Sequence, residues 1–314
     1  MNLDSLKKFD LVIVVAGFLA LVPLVSLQRT TDFIIFCIFV LAYDLLYGHM
    51  GRLSFGHMLY LGVGAYAAAL SSKHVSTDPL LAIGVATAAG VLVGAIMGPI
   101  IVRTTGACFA LINLAFNQMG YFLVLFAFSN YTGGEDGMSA VFGKVAGLDL
   151  SNRTVIFVFS LLCLVGVVYL MRRLTTSTFG ILLRAIKEND TRVQFLGYNT
   201  FGYKWTGFII STGLSAFAGS LSILNYTYVT PSFIDPTRSV EVIFASLIGG
   251  AGNVYGALLG GVGYMIISNY LPKYIQRWEM FLGIALLLMV FRFRGGIWGF
   301  LTGIVAGRRA EVRS

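Results

Sequence analysis

Asn113 and Asn117 stand four residues apart in an otherwise apolar run, with Gln118 one step round the same turn. At helical spacing the two Asn amides share a face with Phe109, Phe116 and Gly120. Polar groups inside a membrane are expensive, so they mark either a solute path or a hydrogen-bonded seam between helices. Both uses predict this spacing. The other polar groups sit in two glycine-rich interruptions. Gly48 to His57 contains Arg52, Ser54, Gly56 and His57, and Gly249 to Asn253 contains Gly250 and Gly252. Helices broken at matching places in two halves free backbone groups to face a cavity, or aim a half-helix N-terminus at a carboxylate. A tight turn is the plainer use of the same residues. Asp44 and Arg52 are spaced for a local ion pair across the start of the first interruption, and His57 suits a hydrogen-bonded helix start.

No catalytic constellation accompanies these residues. GxxxxGK[ST], HExxH and GxSxG are absent, which argues against ATP binding in a phosphate loop, zinc-protease chemistry and a nucleophile elbow. His49, His57 and His74 stand at loops or helix ends, and Cys37, Cys108 and Cys163 are each alone. Neither a metal site nor a disulfide framework is indicated. The chain is expected to be passive alone or driven by a partner chain.

Positioning these groups falls to membrane helices. Hydrophobic residues make up 57% of the 314 residues and charged ones 11%, against about a quarter charged in soluble domains. This reads as an all-α polytopic membrane protein forming a single domain over residues 1–314. At roughly 20 residues per span, there is room for about eight to ten transmembrane or re-entrant helices. Apolar segments fall near 11–28, 32–47, 53–71, 80–102, 107–129, 154–171, 205–229, 240–250, 254–271 and 279–292. The eighth is too short to cross a core of about 30 Å unaided and is expected to be broken or re-entrant. Lys7 and Lys8 precede the first segment, which lacks a small-x-small cleavage site and is expected to be an uncleaved span. The net charge of +8 follows the positive-inside pattern rather than a nucleic-acid surface. It puts the N-terminus, the 172–204 loop and the basic tail 293–314 in the cytoplasm, and the 130–153 loop outside. Gly90, Gly94 and Gly98, and Gly252, Gly256 and Gly260, form stripes that let helix backbones approach closely.

The 172–204 loop is the longest charged interruption, with Arg184, Lys187, Glu188 and Asp190 projecting from a helix that begins near Thr178 and buries Phe179, Leu182, Leu183 and Ile186. Gly197 is expected to end it. Such a helix lies along a surface and suits docking to a soluble partner. The outer loop carries Gly133, Gly134, Glu135 and Asp136 in a turn whose carboxylates could meet a partner outside.

Five separated motifs carry a family resemblance over roughly residues 35–295. They are Gly48 to His57 followed by Gly62-Val63-Gly64-Ala65-Tyr66, then Thr105 to Phe116, and then Thr132-Gly133-Gly134 with Asp136-Gly137. Arg184-Ala185-Ile186-Lys187-Glu188-Asn189 ending at Gly197, and Ile248 to Gly252 with Gly256, complete the set. In this order they resemble the permease subunit of bacterial high-affinity branched-chain amino-acid ABC importers of the LivM type. Asp44, Arg52 and Asn113 depart from the family's usual Asn, Gln and Thr. The resemblance implies a non-enzymatic subunit of the bacterial inner membrane, passing leucine-, isoleucine- or valine-like amino acids. Urea, short amides or aromatic acids are the alternative cargoes within the family, and an ATP-independent secondary transporter is the alternative class. It further implies a heterodimer with a homologous permease, two ATPase subunits that carry the ATP and Mg, and an extracytoplasmic binding protein. By the same resemblance Arg184, Ala185, Lys187, Glu188, Asn189 and Gly197 would meet an ATPase. Ser54, Gly56, His57, Asn113, Asn117, Gln118, Gly250 and Gly252 would line the path or gate, and Gly133, Gly134, Glu135 and Asp136 would receive the binding protein.

Overall fold

The structure, a computed structural model, describes residues 3–145, 148–150, 152–278, 280, 281, 283, 284, 287 and 295–300. The basic tail residues Arg292, Arg294, Arg308, Arg309 and Arg313, and most of the tenth apolar segment, lie outside them. The chain runs α1 (Leu3–Val25), α2 (Leu27–Asp44), α3 (His57–His74), α4 (Pro79–Ile101), α5 (Gly106–Phe122), α6 (Ser129–Thr132), α7 (Arg153–Thr176), α8 (Thr178–Phe195), α9 (Thr200–Tyr226), α10 (Ser239–Gly249) and α11 (Val254–Tyr270). Four two-residue strands pair off at the loops: β1 (Met138–Ser139) with β4 (Tyr228–Val229), and β2 (Lys144–Val145) with β3 (Leu148–Asp149). The fold is all-α and polytopic. Among the described residues, six helices are long and apolar enough to cross a membrane: Leu27–His49, Pro79–Ile101, Gly106–Ala127, Arg153–Thr176, Thr200–Tyr226 and Val254–Lys273.

Local chemistry sets the helix starts. Asp78 caps Leu80 N before Pro79 opens α4, Asn152 caps α7, Asn199 caps α9, and Asn253 takes the Tyr255 and Gly256 amides of α11. Each cap satisfies amides that a helix start leaves unpaired. α2, α3 and α9 form the centre, where Phe33, Phe39, Tyr43, Tyr60 and Phe208 are fully buried. Leu92, Ile96 and Ile100 on α4 are exposed and form an apolar outer face.

The eighth apolar segment is resolved by using α2 as a ruler. Its 18 residues span about 27 Å at 1.5 Å per residue. Asn225, at the end of α9, bonds Asp32 near the start of α2, whereas Gly252, just past α10, bonds Asp44 at its finish. Residues 227–249 therefore run alongside α2 from Asp32 to Asp44, about 18 Å at 1.5 Å per residue. The irregular stretch 227–238 makes the first part of this crossing, with Ile234 buried against Gly62 of α3, and the 11-residue α10 makes the rest.

Small residues let these helices meet. Gly90 and Gly94 face Ala216 and Thr212 of α9, Gly98 faces Trp205, and Gly260 abuts the Ala245 carbonyl of α10, so both glycine stripes are packing seams. A Cβ at Gly64 would overlap the Ala216 carbonyl, whereas one at Gly84 would meet nothing within 4 Å. Gly64→Leu should therefore cost at least about 1–3 kcal/mol and abolish the monodisperse peak in fluorescence-detected size-exclusion chromatography. Gly84→Leu should run as the wild type. Equal behaviour of the two would contradict this packing of α3 on α9.

Candidate functional site

The two glycine-rich interruptions meet each other. α2 ends in a wide turn over Leu45–His49, and the Asp44 carboxylate, fully buried, accepts the Gly252 amide at 2.8 Å. Gly252 and Gly250 adopt positive φ of 87° and 102°, which only glycine takes without strain. Gly48 lies so close to the Gly252 nitrogen that no Cβ fits there. His49 Nδ1 stands 3.5 Å from the other Asp44 oxygen. The expected Asp44–Arg52 pair does not form. Arg52 instead gives Nη1 to the Thr104 carbonyl at 3.1 Å, just before α5, and reaches Asp190 at 4.0 Å. The wide turn carries Arg52 out toward the loop helix, while Asp44 stays inside on the second break.

α8 lies across this end of the bundle. Leu182, Leu183 and Ile186 are buried, Phe179 is half-buried, and Arg184, Lys187 and Glu188 are exposed, as the apolar spacing requires. Gly197, at φ 88°, follows its end. The helix is not continuous. Asn189 leaves helical geometry at φ −157° and ψ 97°, and its Oδ1 accepts the Arg192 amide at 2.9 Å, restarting the last turns as a cap does. Two basic side chains turn back on the membrane helices. Arg184 donates to the Thr175 carbonyl at the end of α7, and Lys187 Nζ reaches the Gly48 carbonyl at 2.7 Å. Asp190 binds Lys204 of α9 at 2.7 Å. Burial pushes the Asp190 pKa up, but Lys204, Thr200 and Arg52 outweigh it and hold the carboxyl below its ordinary value. Its contribution to seating α8 is thus present at neutral pH and lost only as pH falls through that lowered value.

Most of the polar residues expected along the path are bonded within the bundle. Ser54 is buried, its amide on Tyr43 OH and its Oγ accepting the Gly56 amide, and Gly56 abuts the Asn113 carbonyl. His57 is enclosed by the rings of Phe39, Tyr43 and Tyr60. Ser211 Oγ donates to the Ala42 carbonyl at 2.6 Å, so His57 Nε2 carries the proton in its 3.0 Å bond to Ser211, and Nδ1 is left without a partner. This knot ties α2, α3 and α9. Asn113 Nδ2 bonds back to the Phe109 carbonyl, and Asn117 Nδ2 bridges 3.3 Å to Ser239 at the start of α10. Among the described residues, each leaves a buried Oδ1 without a hydrogen-bond partner. Gln118 faces outward and is exposed.

At the opposite end, Gly133 and Gly134 take positive φ in a turn fixed by Thr132 Oγ1 on the Val124 carbonyl at 2.7 Å. Glu135 and Asp136 are exposed there. Beside this turn lies a cavity of about 340 Å³ lined by Asp32 of α2, Met58 and Leu61 of α3, Tyr226 of α9, and Arg238 and Glu241 at the start of α10. Its inner limit includes Phe39, whose ring lies 5.9 Å from His57. The sequence reading missed these charged residues. The available signal was Glu241, which falls inside the short apolar segment 240–250. Among the described residues, no group of three His, Cys, Asp or Glu could hold a metal ion.

Comparison with known proteins adds an independent line. The family described as branched-chain amino acid transport system, permease component, matches residues 26–292. The chain is similar to the high-affinity branched-chain amino acid transport permease LivM of Salmonella typhimurium, at 24% identity over 86% of this chain and 69% of that protein. It is also similar to two Methanocaldococcus jannaschii proteins, each named a probable branched-chain amino acid transport permease. LivM is 26% identical over 72% of this chain and 70% of that protein, and LivH 28% over 70% and 71%. No solved structure gives a significant match.

The Asp44 contact can be tested by removing its carboxylate. Asp44→Ala should leave the Gly252 amide unpaired and cost about 1–3 kcal/mol, lowering the apparent Tm of the purified chain by several degrees. Asp44→Asn, which still offers an oxygen, should lose less. An unchanged Tm in the alanine variant would mean that the two breaks are held together by something else.

Proposed function

This chain belongs to the family of branched-chain amino acid transport system permease components, and on that premise we propose that it forms half of the translocation path of an ATP-driven importer. It is an integral membrane transport subunit, with six helices able to span. ATPase subunits dock on α8 at the cytoplasmic face of the inner membrane, a binding protein delivers cargo at the face bearing Glu135 and Asp136, and a homologous permease completes the path. The cargo is a leucine-, isoleucine- or valine-like amino acid. The similarity to both a LivM and a LivH protein of one organism supports the paired permease.

One observation carries the reading: α8 is bonded directly to a broken membrane helix, through Lys187 on the Gly48 carbonyl. Any displacement of α8 pulls on the first break, on Arg52 and so on the start of α5. Through Asp44 it also pulls on the second break. A lever needs an exposed grip as well as an anchor. Phe195 and Leu196 supply one, at 87% and 71% exposure on the far tip of α8. Apolar side chains so exposed on a charged loop mark a surface for a partner. Glu188 is exposed on the same helix.

Phe195→Glu and Glu188→Arg should each lower co-purification of the ATPase subunits, by at least about tenfold for the aromatic, as loss of an interface anchor does. Membrane insertion should persist. Undiminished attachment in both variants, or gradient-driven accumulation by this polypeptide without ATP, would reject the importer reading.

A further inference from the structure

The cavity at the end opposite α8 joins features that no single element supplies. Asp32, on α2, accepts from Asn225 Nδ2 at 2.6 Å. Across the cavity, Arg238 gives Nε to Glu241 at 3.0 Å and Nη1 to the Ser232 carbonyl at 3.4 Å, and among the described residues Nη2 has no hydrogen-bond partner. Ile35, Phe36, Phe39, Leu61 and Met265 supply an apolar wall. At about 340 Å³, the space lies at the small end of the range for ligand sites.

These groups discriminate among ligand chemistries. A lone amine would leave the Nη2 edge of Arg238 unmatched, a carboxylate without an amine would face Asp32 and Glu241 uncompensated, and a polyol would strand its hydroxyls on the apolar wall. A compact zwitterion with an aliphatic side chain uses every surface. Arginine also suits the position better than lysine: its planar fork can keep Glu241 on Nε while offering its Nη2 edge to a second carboxylate. α10 begins at Ser239 inside the bundle, so the positive end of its dipole lies beside Arg238.

We propose that this cavity is a binding subsite for an aliphatic α-amino acid, with Arg238 taking the carboxylate, Asp32 the ammonium, and Phe36, Phe39, Leu61 and Met265 the side chain. The assignment rests on the reading of the chain as an amino-acid permease and names where that permease would hold its cargo. Asp32 and Arg238 are specificity-determining residues in it, and Glu241 positions the guanidinium.

The test is saturation binding of radiolabelled L-leucine to the full-length chain assembled with the second permease and the ATPase subunits, without the binding protein and without ATP. Isopentylamine and 4-methylpentanoate, which each lack one charged group, serve as competitors. Leucine should bind, and neither analogue should compete at similar concentration. Arg238→Gln and Asp32→Asn should each weaken leucine binding at least about tenfold, the loss of one charge-assisted hydrogen bond. Arg238→Lys should keep part of the affinity, and all three variants should still co-purify with the partner subunits. No leucine binding, unchanged affinity in both neutral variants, or isopentylamine competing as well as leucine would each overturn the subsite. ATP-driven accumulation is measured separately, so a transporter that binds leucine but does not move it would count against the importer reading alone.

Discussion

Asp44 is the constraint on which the architecture at the α8 end depends. A buried carboxylate is costly unless it is bonded or paired, and this one takes the backbone amide of a residue 208 positions away on one oxygen, with His49 Nδ1 3.5 Å from the other. That contact forces α2 and the α10–α11 turn together, which in turn requires glycine at positions 48 and 252. With the breaks joined, the carbonyl of Gly48 is presented to the loop helix, and Lys187 occupies it. One buried charge therefore links three interruptions of regular structure that would otherwise move independently.

The two ends of the bundle are chemically unlike. At the α8 end, Arg184 and Lys187 reach backbone carbonyls, Lys204 pairs with Asp190, and the exposed surface combines Glu188 and Arg192 with the apolar tip of Phe195 and Leu196. At the other end, an open cavity mixes one guanidinium, two carboxylates and an apolar wall. Between them, Phe39, Tyr43, Tyr60 and Phe208 close around His57, an aromatic plug with a single hydrogen bond at its centre. The cavity thus opens at the end bearing Glu135, and the aromatic rings close its floor on the side of α8. Lys187 of α8 bonds the Gly48 carbonyl, which belongs to the continuation of the helix that carries Phe39 and Tyr43.

Much of this was legible in the sequence, because the informative signals there are local. Period and composition determine which face of a helix is oily. That sufficed for the all-α class, for the burial of Leu182, Leu183 and Ile186, and for the positions of the two glycine-rich breaks. The glycine stripes were also readable as seams, since only a missing Cβ permits such contacts. The family motifs are local too, and they identified the permease family without any knowledge of how the motifs meet.

Partner choice was not legible. Asp44 and Arg52 are near in sequence and of opposite charge, yet each pairs across the fold, because the turn between them points their side chains in opposite directions. Arg184 and Lys187 have the spacing of a free charged face and are instead drawn to carbonyls that helix ends leave open. Asn189 breaks α8 through a side-chain cap that competes with the helix. Asp32, Arg238 and Glu241 form one cavity only because residues 227–238 fold back into the bundle. The sequence by itself determined which segments are helical and which faces are apolar, since those follow from properties of neighbouring residues. The tertiary structure alone decided which buried charges and amides meet, since that depends on packing between segments two hundred residues apart.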